Sequence, residues 1–366
     1  MRDPSGRTDA RGWFQWFSSF NSSTLPNTIT GLTMHSVLVL AAVVAILPVA
    51  SDADPFPAPT LREVGGTDAV YGDQRLLFTI SPDDRWLFFF KRDDLGEDPL
   101  GHYAYGRPRL LNLRTGAIHA FTIPESEERL VPLAYIDACW AHDSSLCVLP
   151  PPPTWPNISG LRILISLPKD GPPSLSLVTD ENAGPLPESF TCSDCAPRAD
   201  DLELLRRHIP KEFLIEVDTW RAWGEQAVSP DGTKLFYQQR RPVGPPSAQE
   251  TEDTILFEID VTTGAQRALV VHHGLCARIF HLRPSPDGRF LAYQLTREWG
   301  FVSVPEVHVL ELATGTNRRL VRGLGPMRWS SSSDRLYFVR HGVGDDAEVG
   351  DRIWFAEFAK ADGGQE

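Results

Sequence analysis

Apolar residues along this chain fall into short runs separated by polar turns, and five of those turns share one form. Each is Ser-Pro-Asp-Gly or a worn version of it, followed in four copies by Leu and, two positions on, an aromatic residue. The copies read Ile80-Ser81-Pro82-Asp83-Asp84 to Leu87 and Phe89, Val228-Ser229-Pro230-Asp231-Gly232 to Leu235 and Tyr237, and Pro284-Ser285-Pro286-Asp287-Gly288 to Leu291 and Tyr293. Two more are Trp140-Ala141-His142-Asp143-Ser144 to Cys147 and Leu149, and Trp329-Ser330-Ser331-Ser332-Ser333 to Leu336 and Phe338. Pro presets its backbone angle, Asp hydrogen-bonds its own backbone and Gly supplies positive φ, so each copy predicts a tight turn between two strands.

A second signature keeps step with the first. About 30 to 35 residues after each copy comes a strand that ends at a Gly: Leu111 to Gly116, Leu167 to Gly171, Val261 to Gly264, Leu312 to Gly315, and Phe358 to Gly363. This is the next hairpin turn. Each repeat therefore holds four strands, the last being a segment such as Ala117 to Phe121 or Gln266 to Val271. No such sheet buries both faces alone, so the repetition predicts an all-β fold, a β-propeller with five recognisable four-stranded blades.

These residues resemble the TolB-like, WD-repeat-related propellers, whose blades carry a Trp-Ser-Pro-Asp-Gly-x-x-Leu-Ala-Phe pattern. Pro286 to Tyr293 matches it most fully, and Ser81 to Phe89 and Ser229 to Tyr237 match well. The second and fifth copies lack Pro but keep Trp140 and Trp329. The resemblance covers residues 60 to 366 and implies the fold. It leaves function open, because propellers serve as binding scaffolds, peptidase gates, lyases and glycosidases. The α/β domain that precedes the propeller in TolB does not fit ahead of residue 60.

The domain reading follows from these repeats. Residues 1–50 hold an N-terminal tail and an uncharged run, Ser36 to Ala50, of a length suited to a signal peptide and short for a bilayer span. A cleaved signal and a retained anchor are both compatible with it, as are Met1 and Met34 as the start. Residues 51–59 form a Pro-rich linker. The propeller fills 60–366, with residues 60 to 66 expected to close the ring by supplying the outer strand that the last repeat lacks. Between Gly171 and Ser229 the chain spends 58 residues, where other junctions spend about 15 to 25. This predicts an insertion at about 181–220 with a short helix near Asp200 to His208, and leaves open a degenerate sixth blade.

The formal net charge of −13 and the absence of a Lys/Arg stripe exclude a nucleic-acid partner. The five Cys fit an exported, periplasmic or secreted setting. Cys139 and Cys147 flank the Asp143 turn symmetrically, so they could face each other across a hairpin and bond. Cys192-Ser193-Asp194-Cys195 has no second Cys or His pair at zinc spacing, so no metal site is assigned. No cofactor is expected. The acidic loops Asp93 to Asp98 and Gly344 to Asp351 leave calcium open without matching its loop spacing.

Insertions on a propeller collect where ligands dock, so residues 185 to 223 are the candidate partner surface. Arg206, Arg207, His208, Trp220, Arg221 and Trp223 are its candidate contacts, Trp and Arg being the residue types that dominate interface energetics. The competing reading packs the two Trp onto the blade. No nucleophile elbow or paired acids mark an enzyme. Histidines such as His102, His119, His142, His272, His273, His281, His308 and His341 are scattered over different repeats, and convergence in the channel could make any three of them a site without leaving a sequence trace. The expectation is an exported scaffold that binds a protein or peptide; the alternative is an extracytoplasmic hydrolase or lyase with its catalytic residues in the channel.

Overall fold

The computed structural model describes residues 58–67, 78–92, 106–122, 139–149, 161–169, 171–179, 190–192, 203, 207–209, 226–243, 251–273, 277–299, 302–340 and 352–359, all within the compact unit Ala50–Glu366. Among them five antiparallel sheets form. Strand β1 (Thr60–Glu63) comes first. Blade 1 is β2 (Phe78–Ile80), β3 (Trp86–Arg92), β4 (Gly106–Asn112) and β5 (Ile118–Ala120). Blade 2 is β6 (Cys139–Ala141), β7 (Leu146–Leu149), β8 (Leu161–Ser166) and β9 (Ser174–Thr179), joined by β10 (Phe190–Cys192). Blade 3 is β11 (Gln226–Val228), β12 (Lys234–Val243), β13 (Thr251–Asp260) and β14 (Gln266–His272), and blade 4 is β15 (Ala277–Pro284), β16 (Phe290–Trp299), β17 (Val302–Glu311) and β18 (Asn317–Arg322). Blade 5 is β19 (Leu324–Trp329), β20 (Arg335–Arg340) and β21 (Arg352–Glu357), completed by β1 as its outer strand.

The first strands of successive blades touch, β11 with β15, β15 with β19, and β19 with β2, so they line the centre and blade 5 meets blade 1 directly. Closure is therefore a five-sheet ring sealed by the chain's own N-terminal strand, with Thr60 opposite Glu357 and Glu63 opposite Trp354. The residues of the 181–220 stretch that are described form no sixth sheet. They give β10, which pairs with β6 on the side away from β7, facing the ring axis.

The turn chemistry is as the repeats predict. In three copies the Ser hydroxyl donates to the Asp carboxylate, Ser81 to Asp83 at 2.6 Å, Ser229 to Asp231 at 2.5 Å and Ser285 to Asp287 at 2.6 Å. The same hydroxyl accepts the amide five residues on, at 2.9 Å in each case. The fourth position is left-handed in every copy: Gly232 and Gly288 at φ 71° and 68°, but Asp84, Ser144 and Ser333 at 54°, 57° and 60°. A non-Gly residue there costs about 1–2 kcal/mol.

Those three side chains tie neighbouring blades together. The Asp83 amide donates to Ser144 Oγ at 3.2 Å, and the Asp287 amide to Ser333 Oγ at 3.0 Å. Asp84 closes the ring by accepting the Ser331 amide at 2.9 Å and its hydroxyl at 2.5 Å. The two retained Trp work alongside, Trp140 Nε1 donating to Thr79 Oγ1 of blade 1 at 3.0 Å and Trp329 Nε1 to the Arg283 carbonyl of blade 4 at 2.9 Å. The worn turns are thus the ties between blades 1 and 2, 4 and 5, and 5 and 1.

Packing repeats the same logic. The paired positions after each turn are buried in every blade, and in blades 1, 2, 4 and 5 they face the preceding blade. Leu87 and Phe89 pack with Tyr337 and Val339, Cys147 and Leu149 with Phe88 and Phe90, Leu291 and Tyr293 with Phe236, and Leu336 and Phe338 with Phe290 and Ala292. Blade 3 differs. Leu235 and Tyr237 pack with Ile259 and with Ile209 of the insertion, which is 3% exposed.

The expected Cys139–Cys147 pairing does not form. The register sets Cys139 opposite Val148 and Trp140 opposite Cys147, so the two cysteines stand on opposite faces of the sheet, and Cys147 is a free thiol packed against blade 1. Burial pushes its thiol pKa well up, which suits an inert core residue.

Two predictions follow from the ties. Ser333→Ala keeps the left-handed backbone penalty and removes the hydrogen bond, so urea unfolding is expected to show a loss of about 1 kcal/mol, while Ser333→Gly, relieved of that penalty, stays near wild type. An unchanged Ser333→Ala stability would remove the tie. Burial raises the Asp84 carboxyl pKa above its ordinary 3.8, opposed by the bonds from Ser331 and aided by Asp334 and Asp83. The folded chain then holds that proton more tightly than the unfolded one. The stability it confers is full below 3.8 and lost as pH rises through the higher native value. Wild type is expected to lose stability relative to Asp84→Asn across that window; parallel curves would contradict the burial.

Candidate functional site

Blades 2 and 3 carry the largest departure from the repeat. Gly232 offers no side chain to blade 2, and here the insertion contributes twice: β10 extends the axis-side edge of blade 2, and Ile209 covers the Leu235–Tyr237 face of blade 3. Glu203, Arg207 and His208 are helical, as the amphipathic run predicts. Arg207 is exposed and donates to Glu203 Oε1 at 3.4 Å, an i,i+4 pair worth a few tenths of a kcal/mol at this exposure. His208 is half-buried beside Ile209. Arg206, Trp220, Arg221 and Trp223 lie outside the described residues, as do both acidic loops, His102, His341 and Cys276.

The joint between blades 3 and 4 likewise has Gly at its turn, Gly288, and is held by polar groups. The Ile279 amide donates to Gln238 Oε1 at 2.9 Å and Thr254 Oγ1 to the Ala277 carbonyl at 2.5 Å. Arg267 bridges Glu258 of its own blade, at 3.0 Å, and the Leu312 carbonyl of blade 4, at 3.3 Å. Further out, His272 of β14 reaches Tyr293 of β16.

Position by position, the pair that contains Tyr293 is apolar or aromatic in most blades: Leu149 faces Ile163, Tyr237 faces Phe257 and Phe338 faces Trp354. Blade 1 sets Phe89 against Arg109, and blade 4 sets Tyr293 against His308. The Tyr293 hydroxyl donates to Asn317 Oδ1 at 2.9 Å, so it accepts from His272 Nε2 at 3.0 Å, which fixes the His272 tautomer with its proton on Nε2. His308 stacks on Tyr293 with ring centroids 5.1 Å apart, and its edge meets the His272 ring at 5.7 Å. Its Nε2 donates to Glu306 Oε2 at 3.2 Å, and Arg319 holds the other Glu306 oxygen at 2.9 Å. His308 Nδ1 is left buried without a partner.

Burial, with the neighbouring His308 and Arg297 adding, lowers the His272 pKa to about 4; burial also lowers His308 against the pull of Glu306. Burial raises the Tyr293 hydroxyl, while for Glu306 the bonds from Arg319 and His308 outweigh its burial and hold the carboxyl low. These groups share the outer half of a blade joint rather than the channel. They can act as a proton-sensitive structural tie.

On the channel side stands His281. It lies at an irregularity of β15, has φ 53° and is buried, and burial followed by Arg283 and Arg328 lowers its pKa to about 3. Both arginines sit two residues before a turn Ser on adjacent innermost strands, and each donates Nη1 to the carbonyl before it at 3.0 Å. The sequence left convergence of histidines in the channel open. The structure instead brings His272 and His308 together between blades and leaves His281 with two guanidiniums. His119 lies tilted against Trp86 with ring centroids 5.9 Å apart, and exposed His273 bonds Asp253 at 2.9 Å. Among the described residues no group of three or more His, Cys, Asp or Glu is placed to hold a metal.

What sequence reasoning missed was carried by differences between copies. The non-Gly residues at position four of the turn mark the ties, and an alignment of the five β-hairpins on their Leu-x-aromatic pairs sets His308 apart. Ile209 had no such signal.

No family model and no curated protein matches this chain. Solved structures resemble it at low sequence identity. The chain is similar to an oligogalacturonate lyase from Vibrio parahaemolyticus at 11% identity and a TM-score of 0.38, covering 84% of this chain and 95% of that one. It is similar to the periplasmic gluconolactonase of Pseudomonas aeruginosa at 15% identity and a TM-score of 0.26, covering 85% and 94%, and to TolB from Acinetobacter baumannii at 10% and 0.26, covering 84% and 65%.

Because burial lowers the pKa of both His272 and His308, they protonate more readily when unfolded; their contribution is full above about 6.5 and lost as pH falls, for His272 toward its native value of about 4. Stability is expected to fall by on the order of 1–3 kcal/mol across that window, with His272→Gln flattening part of the slope. Equal slopes in the two chains would contradict the assignment.

Proposed function

We propose that this chain is an exported β-propeller that binds a protein or peptide partner, with the 185–223 insertion as the contact element. The observation that supports it is the position of β10: an added strand on the axis-side edge of blade 2, where among the described residues no further strand pairs with it. An unpaired strand edge is what an extended peptide adds to. Arg207 stands exposed on the neighbouring helical turn, and Arg206, Trp220, Arg221 and Trp223 supply the residue types that anchor interfaces. Export rests on the Ser36 to Ala50 run, which lies outside the described residues.

A second reading is favoured by one observation. A buried imidazole on an innermost strand, His281, held in the left-handed region beside Arg283 and Arg328, is the kind of strained residue that collects at active sites. A hydrolase or lyase acting in the channel would use it.

Capture from a cell-envelope extract by the immobilised chain, followed by affinity measurement on the retained protein, tests the first reading. Arg206→Glu with Arg207→Glu is expected to weaken binding by at least about tenfold while leaving the thermal unfolding curve unchanged. Affinity unmoved by that pair and by Trp223→Ala would contradict the insertion as contact element. Loss only on His281→Asn would favour the channel.

A further inference from the structure

Three of the chain's five cysteines fall on blade 2 or its added strand, and their register separates them. Cys147 is committed to the core between blades 1 and 2 and is free. Cys139 lies on β6, the strand to which β10 is added, and the antiparallel register of that pair places Cys192 directly opposite Cys139, with Thr191 opposite Trp140 and Phe190 opposite Ala141. Directly opposed residues of an antiparallel pair have Cα atoms about 4.5 or 5.5 Å apart, according to their hydrogen-bonding phase. Both distances lie inside the roughly 4.4–6.8 Å range that a disulfide spans. Opposed residues also project to the same face of the sheet.

We propose that Cys139 and Cys192 form a cross-strand disulfide that fastens the insertion to the axis-side edge of blade 2. Only three register pairs join β10 to β6, and a three-residue edge strand held by so few pairs is where a covalent link changes most. The bond forms when the two thiols pass two electrons and their protons to a disulfide oxidant such as oxidised glutathione, which leaves as two thiols. The link joins segments 53 residues apart in sequence, since 192 − 139 = 53. It fixes the strand edge on which the proposed function rests, yet it stands on register alone and is tested without a partner.

Cys195 lies three residues beyond Cys192 and is the competing partner within Cys192-Ser193-Asp194-Cys195. The full chain, equilibrated with oxidised glutathione, blocked with N-ethylmaleimide and digested with trypsin without reduction, separates the outcomes. Cys139 and Cys147 fall in the tryptic peptide 130–162, and Cys192 and Cys195 in 170–198. A linked pair of peptides whose fragmentation joins residue 139 to residue 192, with Cys147 and Cys195 alkylated, is the expected result. Cys192→Ser abolishes that link, and Cys195→Ser and Cys147→Ser preserve it. An internal Cys192–Cys195 bond, a link from Cys139 to Cys195, or four alkylated thiols would each overturn the proposal. The wild-type fragmentation decides it even where a variant does not fold.

Discussion

A blade in this molecule is buried on both faces, and every other feature answers to that requirement. In blade 4, Leu291 and Tyr293 face blade 3 while Phe290 and Ala292 face blade 5, and all four are 1% exposed or less. An open array of such sheets would leave two large apolar faces and two strand edges to water, each a site for association. Closing the ring removes both at once. Strand β1 covers the edge of blade 5, and Asp84 and Ser331 join the first turn to the last.

Five sheets in a ring have five joints, and the joints are not alike. Three combine apolar packing with a hydrogen bond accepted by a turn residue that has given up Gly: Ser144, Ser333 and Asp84. Where the turn keeps Gly, other groups serve. The joint of blades 3 and 4 carries Gln238, Thr254, Arg267 and the stacked His308–Tyr293 pair beside His272. At the joint of blades 2 and 3, Ile209 of the insertion packs on Leu235 and Tyr237. The described part of the insertion therefore has a structural role, Ile209 covering this face of blade 3 and β10 extending blade 2.

Much of the fold was legible because turn chemistry is local. Pro82, Asp83 and Ser81 specify their turn with atoms a few residues apart, and the Leu-x-aromatic spacing marks the strand that follows. Ring closure by residues 60 to 66 was legible by counting strands. Side-chain partnerships across blades were not, since His272 and His308 are 36 residues apart, 308 − 272 = 36, and no spacing rule relates them. The Cys139–Cys147 expectation failed for a similar reason. Symmetry about Asp143 in sequence is not register, because the turn places 139 opposite 148 and so sends 139 and 147 to different faces. Of the candidate contacts, Arg207 and His208 emerge on the insertion's helical turn, but nothing in the sequence distinguished them from Ile209, the residue that anchors it.

The central claim is that Ile209 of the insertion covers the face of blade 3 that the other blades turn to their predecessors. Hydrogen exchange on Ile209→Ser, compared with wild type, tests it most directly. The account predicts amides of Val228 and of Leu235 to Tyr237 exchanging faster by on the order of tenfold, with Leu291 to Tyr293 unchanged. Unchanged exchange in blade 3 would show that this face is covered without Ile209, and would contradict the account.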